Sequence, residues 1–373
     1  MSLISVKLVD TYEDSAVFAA VSAHFSALAV EKDLSPETRV LIKPNLLTGS
    51  APARAVTTHP AVVAAVIRWL KERGVKNIVV ADSPGGPYSA VRLNSVYAAV
   101  GYNTPEIEPH LNRTFQFRPA PRPAGSLRSF NVITPALEAD YIINLPKLKT
   151  HGMTILSAGI KNLFGVIPGL QKPEMHYRFP DLELFSAMLV DLAAFVQPGV
   201  TLIDGVDAME GNGPSGGTVR HAGITFASRD LFTQDWFAAS FMGLSPQAVP
   251  MLRIAKERGL VHDESCRFTG DPIPANAAPF AMPDTAKIDF MDSLPGFLKK
   301  PGFAVADRLL RPVPVVSAEK CIGCGKCMES CPPHVIEIKN RKAKMRRKGC
   351  ISCFCCQEMC PVQAISAKRI VRF

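Results

Sequence analysis

The chain has 373 residues, 47% hydrophobic and 20% charged, a balance that excludes a disordered chain and supplies apolar surface for sizeable cores. At roughly 100–200 residues per domain, two or three domains are expected. No run of about 18 apolar residues occurs, which excludes a membrane span, and the start Met1-Ser2-Leu3-Ile4 lacks the basic-then-apolar pattern of a secretory signal, so a cytoplasmic protein is expected. The net charge of +9 is uneven: residues 317–373 carry twelve Lys/Arg against four Glu, and the preceding residues thirty against twenty-nine.

In chain order, Val40-Leu41-Ile42 reads as a strand leading into Lys43-Pro44-Asn45. Pro60 suits the first helical position, with an apolar face of Val62, Val63, Val66, Ile67 and Leu70 and a stop at Gly74. Ile78–Ala81 is a strand ended by Asp82-Ser83-Pro84-Gly85-Gly86, and Tyr141–Ile143 is another. A helical stretch Asp181–Val196 precedes the strand Val200–Ile203, and a short strand Ile224–Phe226 precedes a helix running to about Met242. Continuous apolar strands alternating with helices predict an α/β domain over residues 1–271, its mostly parallel sheet covered by helices on both faces. Residues 272–316, rich in Pro and Ala, read as a linker packing on that domain, with a short amphipathic piece near Phe303–Leu310. Residues 317–373 read as a separate small α+β domain.

Nine of the ten cysteines fall between Cys321 and Cys360. Such crowding without a signal sequence reads as metal ligation rather than disulfides. They form two runs, Cys321-x2-Cys324-x2-Cys327-x3-Cys331-Pro332 and Cys350-x2-Cys353-x2-Cys356-x3-Cys360-Pro361, offset by 29 residues. Paired CxxC motifs also make zinc ribbons, but a doubled run with this spacing points to iron–sulfur chemistry. It resembles the bacterial two-cluster ferredoxin module, in which the fourth Cys of each run ligates the other cluster. The resemblance implies two 4Fe–4S clusters, one held by Cys321, Cys324, Cys327 and Cys360 and the other by Cys350, Cys353, Cys356 and Cys331. Cys355 stands outside this pattern, Cys266 is remote from it, and Phe354 takes the place of Gly325. Between the runs, Lys339–Lys348 holds seven basic residues in ten. That segment is a solvated hairpin or a docking patch for an acidic redox partner. Without interleaved aromatics it offers no stacking platform, so nucleic acid is not expected as a partner.

In α/β sheets ligands gather beyond the carboxyl ends of the strands, and polar groups cluster at those positions here. They are Lys43 and Asn45; Thr58 and His59; Asp82 and Ser83; Lys147, Lys149 and His151; Lys161 and Asn162; and Asp204, Asp207 and Glu210. The phrases IKPNLL, TTHP, ADSPGG, NLPKLKTHGMTILSAGIKNLFG and IDGVDAMEGNGP resemble the family catalogued as domain of unknown function 362, over roughly residues 5–300. That resemblance implies an architecture and site positions but no reaction. Lysines at apolar strand ends are hard to bury unless an anion or carboxylate meets them. Lys43, Asn45, Asp82, Lys149, Asn162 and Asp204 are therefore candidates to bind a small anionic ligand. His151, His59, Lys147 and Lys161 are candidates for proton transfer, and all these groups are expected to converge in one cleft. Asp204, Asp207 and Glu210 read as a solvated acidic loop or a divalent-metal site. Gly211-x-Gly213-x-x-Gly216 matches the dinucleotide fingerprint in form, but Pro214 and Thr218-Val219-Arg220 do not open a helix, so no NAD is expected.

Three functions follow. The first is an iron–sulfur redox protein whose tail exchanges electrons with an anion site in the large domain. The second is a non-redox enzyme using Lys/His proton transfer, with structural clusters. The third is a non-catalytic carrier of electrons or clusters for a partner.

Overall fold

The computed structural model describes residues 2–85, 90–110, 115–119, 129–274, 278–285 and 313–368. The strands of the large domain are β1 (Leu3–Leu8), β2 (Arg39–Pro44), β3 (Asn77–Val80), β4 (Phe115–Pro119), β5 (Ser129–Ile133), β6 (Tyr141–Leu145), β7 (Lys147–His151), β8 (Ile155–Ser157), β9 (Val200–Glu210), β10 (Thr218–Ser228) and β11 (Arg267–Gly270). Its main sheet runs in the order β11-β1-β10-β9-β6-β2-β3, with β7 joining β9 and β8 joining β7. Neighbours along β3-β2-β6-β9 are parallel, while β10 runs antiparallel to both β9 and β1. A separate hairpin is formed by β4 and β5.

Successive residues of a strand point to opposite faces, and the two cores divide along that alternation. Val40 and Ile42 enter one core and Leu41 the other; Tyr141 and Ile143 enter the first and Ile142 the second. Helices Asp14–Ala27 and Pro60–Glu72 cover the first face, where Phe25 and Trp69 meet edge to face with ring centroids 4.9 Å apart. Leu182–Val196, Leu231–Phe241 and Pro250–Glu257 cover the second. Each fully buried aliphatic side chain contributes about 1.5–3 kcal/mol, so covering both faces is what holds the sheet.

Two elements are longer than the sequence reading. Strand β9 continues through Asp204 and Asp207 to Glu210, and β10 begins at Thr218, because the two pair from Glu210↔Thr218 to Thr201↔Ser228. The acidic trio is therefore part of a strand and not a loop.

The small domain pairs β12 (Val313–Val316) with β15 (Ile365–Lys368), and β13 (Ile336–Lys339) with β14 (Lys342–Met345). It thus takes in residues just before the expected start at 317. Short helices Lys326–Glu329 and Cys355–Glu358 follow the two cysteine loops. Each is preceded by a left-handed residue, Gly325 at φ 80° and Phe354 at φ 59°. For a residue with a Cβ that conformation costs roughly 1–2 kcal/mol, and Phe354 is held in it by burial, at 6% exposure. Of the expected linker, residues 278–285 pack on the main domain through Phe280 in the core and Ala281 N donating to Glu210 Oε2 at 3.0 Å. The piece near Phe303–Leu310 lies outside the described residues.

Candidate functional site

The carboxyl ends of β2, β3, β6 and β9 bring the expected polar residues together in two separate groups. In the first, buried Lys43 Nζ lies 3.2 Å from Asp82 Oδ2 and donates to the Pro44 carbonyl at 2.8 Å and Asn162 Oδ1 at 3.3 Å. Asn162 in turn donates to Asn144 Oδ1 at 2.8 Å. Thr58 bridges the strand ends, its hydroxyl donating to the Leu145 carbonyl at 2.6 Å and accepting from Asn45 N at 2.9 Å. Gly165 closes over the ion pair: a Cβ there would lie 2.2 Å from Asp82 Oδ1 and 2.4 Å from Lys43 Nζ.

Lys147, His59 and Asp204 belong to the second group, not to the single cleft expected. Lys147 Nζ lies 2.8 Å from Asp204 Oδ2 and 2.7 Å from Tyr12 Oη, and His59 N donates to the same carboxylate at 2.9 Å. The His59 ring stacks on Tyr12 at 3.6 Å, and burial lowers its pKa to about 4. A bulge explains the separation. Strand β7 sets Lys147 opposite Asp204 but Lys149 opposite Met209, so the register shifts between two lysines that simple alternation places side by side. Asp207 and Glu210 also have partners, His221 at 2.9 Å and Arg220 at 3.0 Å. Among the described residues outside the cysteine runs, no three His, Cys, Asp or Glu side chains are grouped to hold one metal ion.

The first group opens into a cavity of about 80 Å³ between the large domain and the small one. Lys149, His151, Lys161, Asn162, Asn45 and Asp82 line it from the large domain; Ser330, Cys355, Glu358 and Met359 line it from the small one. Lys172 and His176, on the helix Lys172–Arg178, complete the wall. The Gly-rich loop after β9 serves this junction rather than a dinucleotide. Gly213 packs where a Cβ would lie 2.0 Å from the Thr150 carbonyl, Pro214 lines the cavity, and Ser215 Oγ donates to the Glu358 carbonyl at 3.2 Å. Gln363 Nε2 returns a bond to the Ser215 carbonyl at 3.0 Å.

Burial dominates the electrostatics of the cavity. It pushes Lys149 and Lys172 down to about 7, lowers Lys161, and takes His176 to about 3. His151 Nδ1 accepts from Met153 N at 3.0 Å and Thr154 N at 3.3 Å, which leaves its proton on Nε2, 3.3 Å from Glu358 Oε1. Burial alone raises the Glu358 carboxyl, but His151 and Lys161 bring it down to about 2. Two buried polar atoms on the cavity wall have no hydrogen-bond partner, Asn45 Oδ1 and His176 Nδ1, while Glu358 Oε1 is met by His151 Nε2. An unsatisfied buried atom costs about 1–3 kcal/mol, and both of these face the one space.

Lys172, His176 and Glu358 were not singled out from sequence. The i, i+4 spacing of Lys172 and His176 puts them on one helix face, a signal that could have found that pair. Glu358 carries no local signal, since only the docking of the two domains brings it to His151.

In the small domain, Cys321, Cys324, Cys327 and Cys360 surround one cavity. Cys331, Cys350, Cys353 and Cys356 form a second set: burial first, then Cys353, Cys350 and Cys331, push the Cys356 thiol well above its ordinary value. Backbone N–H groups of Ala343, Val335 and Ala364 approach the sulfurs of Cys321, Cys331 and Cys360 at 3.3, 3.4 and 3.2 Å. All-thiol donor sets supported by amide hydrogen bonds fit iron–sulfur ligation.

The family described as a domain of unknown function, DUF362, matches residues 40–240. The chain belongs to the DUF362 family. A 4Fe-4S dicluster domain matches residues 313–361, so this DUF362 member carries a C-terminal 4Fe–4S-binding, ferredoxin-like module. The chain is 35% identical over 265 residues to the thylakoid-associated protein sll1697 of Synechocystis sp., spanning 69% of this chain and 79% of that one. It is also 52% identical over 29 residues to Ferredoxin-2 of Desulfomicrobium norvegicum, spanning 8% of this chain and 49% of that one. A solved protein from Thermotoga maritima overlaps 53% of this chain and 51% of its own, at TM-score 0.34 and 15% identity, a level that carries no argument. Among the described residues no helix is long and apolar enough to cross a membrane.

Proposed function

We propose that this DUF362 member is an iron–sulfur redox protein whose C-terminal module, holding two 4Fe–4S clusters, exchanges single electrons with a small anion in the cavity between the domains. The supporting observation is the shared wall. Ser330 and Cys355, the sequence neighbours of Cys331 and Cys356, face the same space as Lys149, His151 and Lys161. Cys321, Cys324, Cys327 and Cys360 are the proposed ligands of one cluster, and Cys331, Cys350, Cys353 and Cys356 those of the other. Bound there, 4Fe–4S clusters supply one-electron transfer. Lys149, Lys161 and Lys172 bind and orient the anion by charge-assisted hydrogen bonds. His151 holds a proton on Nε2 at the cavity wall, oriented by two backbone amides. Phe164 and the docked module form part of the wall of that space. Fusing the two domains keeps the module at high effective concentration beside its site.

At the other end, Lys342 Nζ donates to the Cys321 carbonyl at 2.7 Å, which lays the basic hairpin β13–β14 against the first cysteine loop. An acidic redox partner is proposed to dock there. A carrier without a ligand of its own would have no use for buried Lys149 and half-buried Lys161 and Lys172 gathered without carboxylates, which favours the reading with a bound anion. Anaerobic reconstitution followed by iron and sulfide analysis is expected to give about eight of each per chain. Mass spectrometry of the denatured filtrate is expected to release a small anion. Four irons with stoichiometric zinc, or a preparation that neither carries nor binds an anion, contradicts the proposal.

A further inference from the structure

Four ammonium groups, Lys43, Lys149, Lys161 and Lys172, line or underlie the cavity, against two carboxylates, Asp82 and Glu358. Asp82 is taken up by Lys43, and Glu358 faces His151. Among the described residues, Lys149, Lys161 and Lys172 have no carboxylate at ion-pair distance, so with all four lysines protonated the site carries an excess of two positive charges. Lys149 uses one N–H on the Val56 carbonyl at 2.6 Å, and Lys172 uses one on the Ser83 carbonyl. An ammonium has three donors, so each keeps two for a ligand. Lys161 Nζ lies over the Phe164 ring, 4.6 Å from its centroid, a cation–π contact that meets its charge only in part and leaves its N–H donors for a ligand. His176 is 3% exposed, its ring stacks on Phe185 at 4.4 Å, and its Nδ1 meets nothing. At about 80 Å³ the cavity is smaller than the about 150 Å³ void that admits benzene, so only a handful of non-hydrogen atoms enter.

We infer that the cavity takes a compact dianion, either a phosphate-sized oxyanion or a short dicarboxylate, held by Lys149, Lys161, Lys172 and His176. This deepens the proposed function and rests on it only in treating the cavity as a ligand site. Two ends of the ligand are distinguished by the wall. The lysines donate to anionic oxygens, while Asn45 Oδ1 is an acceptor that suits an O–H. Hydrogen phosphate offers one and malonate does not.

The protonation of the site supports the same conclusion. Burial holds Lys149 and Lys172 near 7 in the free protein. Lys149 faces Glu358, Lys147, Lys161 and Asp82; Lys172 faces Asp82, Lys43, Lys161 and Glu358. An incoming dianion raises both lysines, so binding takes up protons. For malonate, doubly ionised near neutrality, affinity falls as pH rises above about 7, whereas the second ionisation of phosphate itself opposes that trend.

The test is calorimetric titration of the full-length, anaerobically reconstituted protein with inorganic phosphate, malonate and acetate. A dianion is expected to bind about tenfold or more tightly than acetate, and Lys161→Met and Lys172→Met each to weaken it by about tenfold or more. Methionine keeps the apolar stem, and unchanged cluster absorbance shows that each variant is folded. Phosphate binding ahead of malonate identifies a phosphoryl ligand, and the reverse a dicarboxylate. Acetate binding as tightly as both dianions, or both variants binding like the parent, overturns the inference while leaving an anion site in place. No binding of any anion removes the ligand reading and the inference together. Dianion binding that leaves the cluster spectra untouched sustains the inference and counts against the redox reading alone.

Discussion

The two cysteine runs share one spacing and meet different surroundings. In the first loop Cys324 is exposed and its neighbour Ile322 is 57% exposed, with the basic hairpin alongside. In the second loop Cys353, Phe354, Cys355 and Cys356 are all buried, and Cys355 and Glu358 face the cavity of the large domain. The replacement of Gly325 by Phe354 at the equivalent turn accompanies this change, putting a ring where the first loop has only backbone. A repeated motif thus sets one loop beside the basic hairpin and the other against the cavity. The lesson is that the spacing specifies how iron is held, and the side chains between the cysteines specify what the bound group can reach.

The comparison can be broken most severely at the ligands that cross between the runs. Replacing Cys360 with Ala is expected to remove about four of eight irons by abolishing the site of the first run, Cys321, Cys324 and Cys327. Loss of the second-run site instead would contradict the crossed assignment. Next in size, Gly165→Ala drives a methyl group into the Lys43–Asp82 pair beneath the cavity. Breaking a buried ion pair costs about 3–5 kcal/mol, read as a lowered denaturant midpoint. Wild-type stability would mean that the pair is not fixed as described.

On the outward side, changing Arg341, Lys344 and Arg346 to Glu is expected to slow association with an acidic one-electron partner by about tenfold at low salt. Stopped-flow rates across ionic strength check this, since the parent rate should fall with salt and the variant rate should not. An unchanged rate leaves the hairpin as solvated surface. The smallest expected effect is at Cys355→Ala, where iron content and both reduced-state spectra should survive. Loss of iron there would make Cys355 a ligand and undo the assignment of the second set.

Much of the fold was legible in the chain because strands such as Val40-Leu41-Ile42 and Tyr141-Ile142-Ile143 are apolar at every position, and only a doubly covered sheet accepts that. The parts not legible depend on tertiary events. Alternation alone puts Lys147, Lys149 and His151 on one face, but the β7 bulge sends Lys147 to Asp204. The cavity's second wall comes from residues about two hundred positions away in sequence, and no local pattern ties Glu358 to His151. Lys172 and His176 share the face of one short helix, a pairing that marks a site only once that helix packs against the cavity.

The central claim is that the cysteine set Cys331, Cys350, Cys353 and Cys356, and not the set Cys321, Cys324, Cys327 and Cys360, adjoins the ligand. An EPR-monitored redox titration of the full-length protein, with and without malonate or phosphate, tests it directly, with signals assigned by Cys356→Ser and Cys324→Ser. Negative charge placed beside a cluster disfavours its reduced form. The dianion should therefore lower the potential of the signal lost in Cys356→Ser and leave the signal lost in Cys324→Ser where it was. A shift confined to the Cys324-dependent signal, or no shift in either while the dianion is bound, would contradict the account.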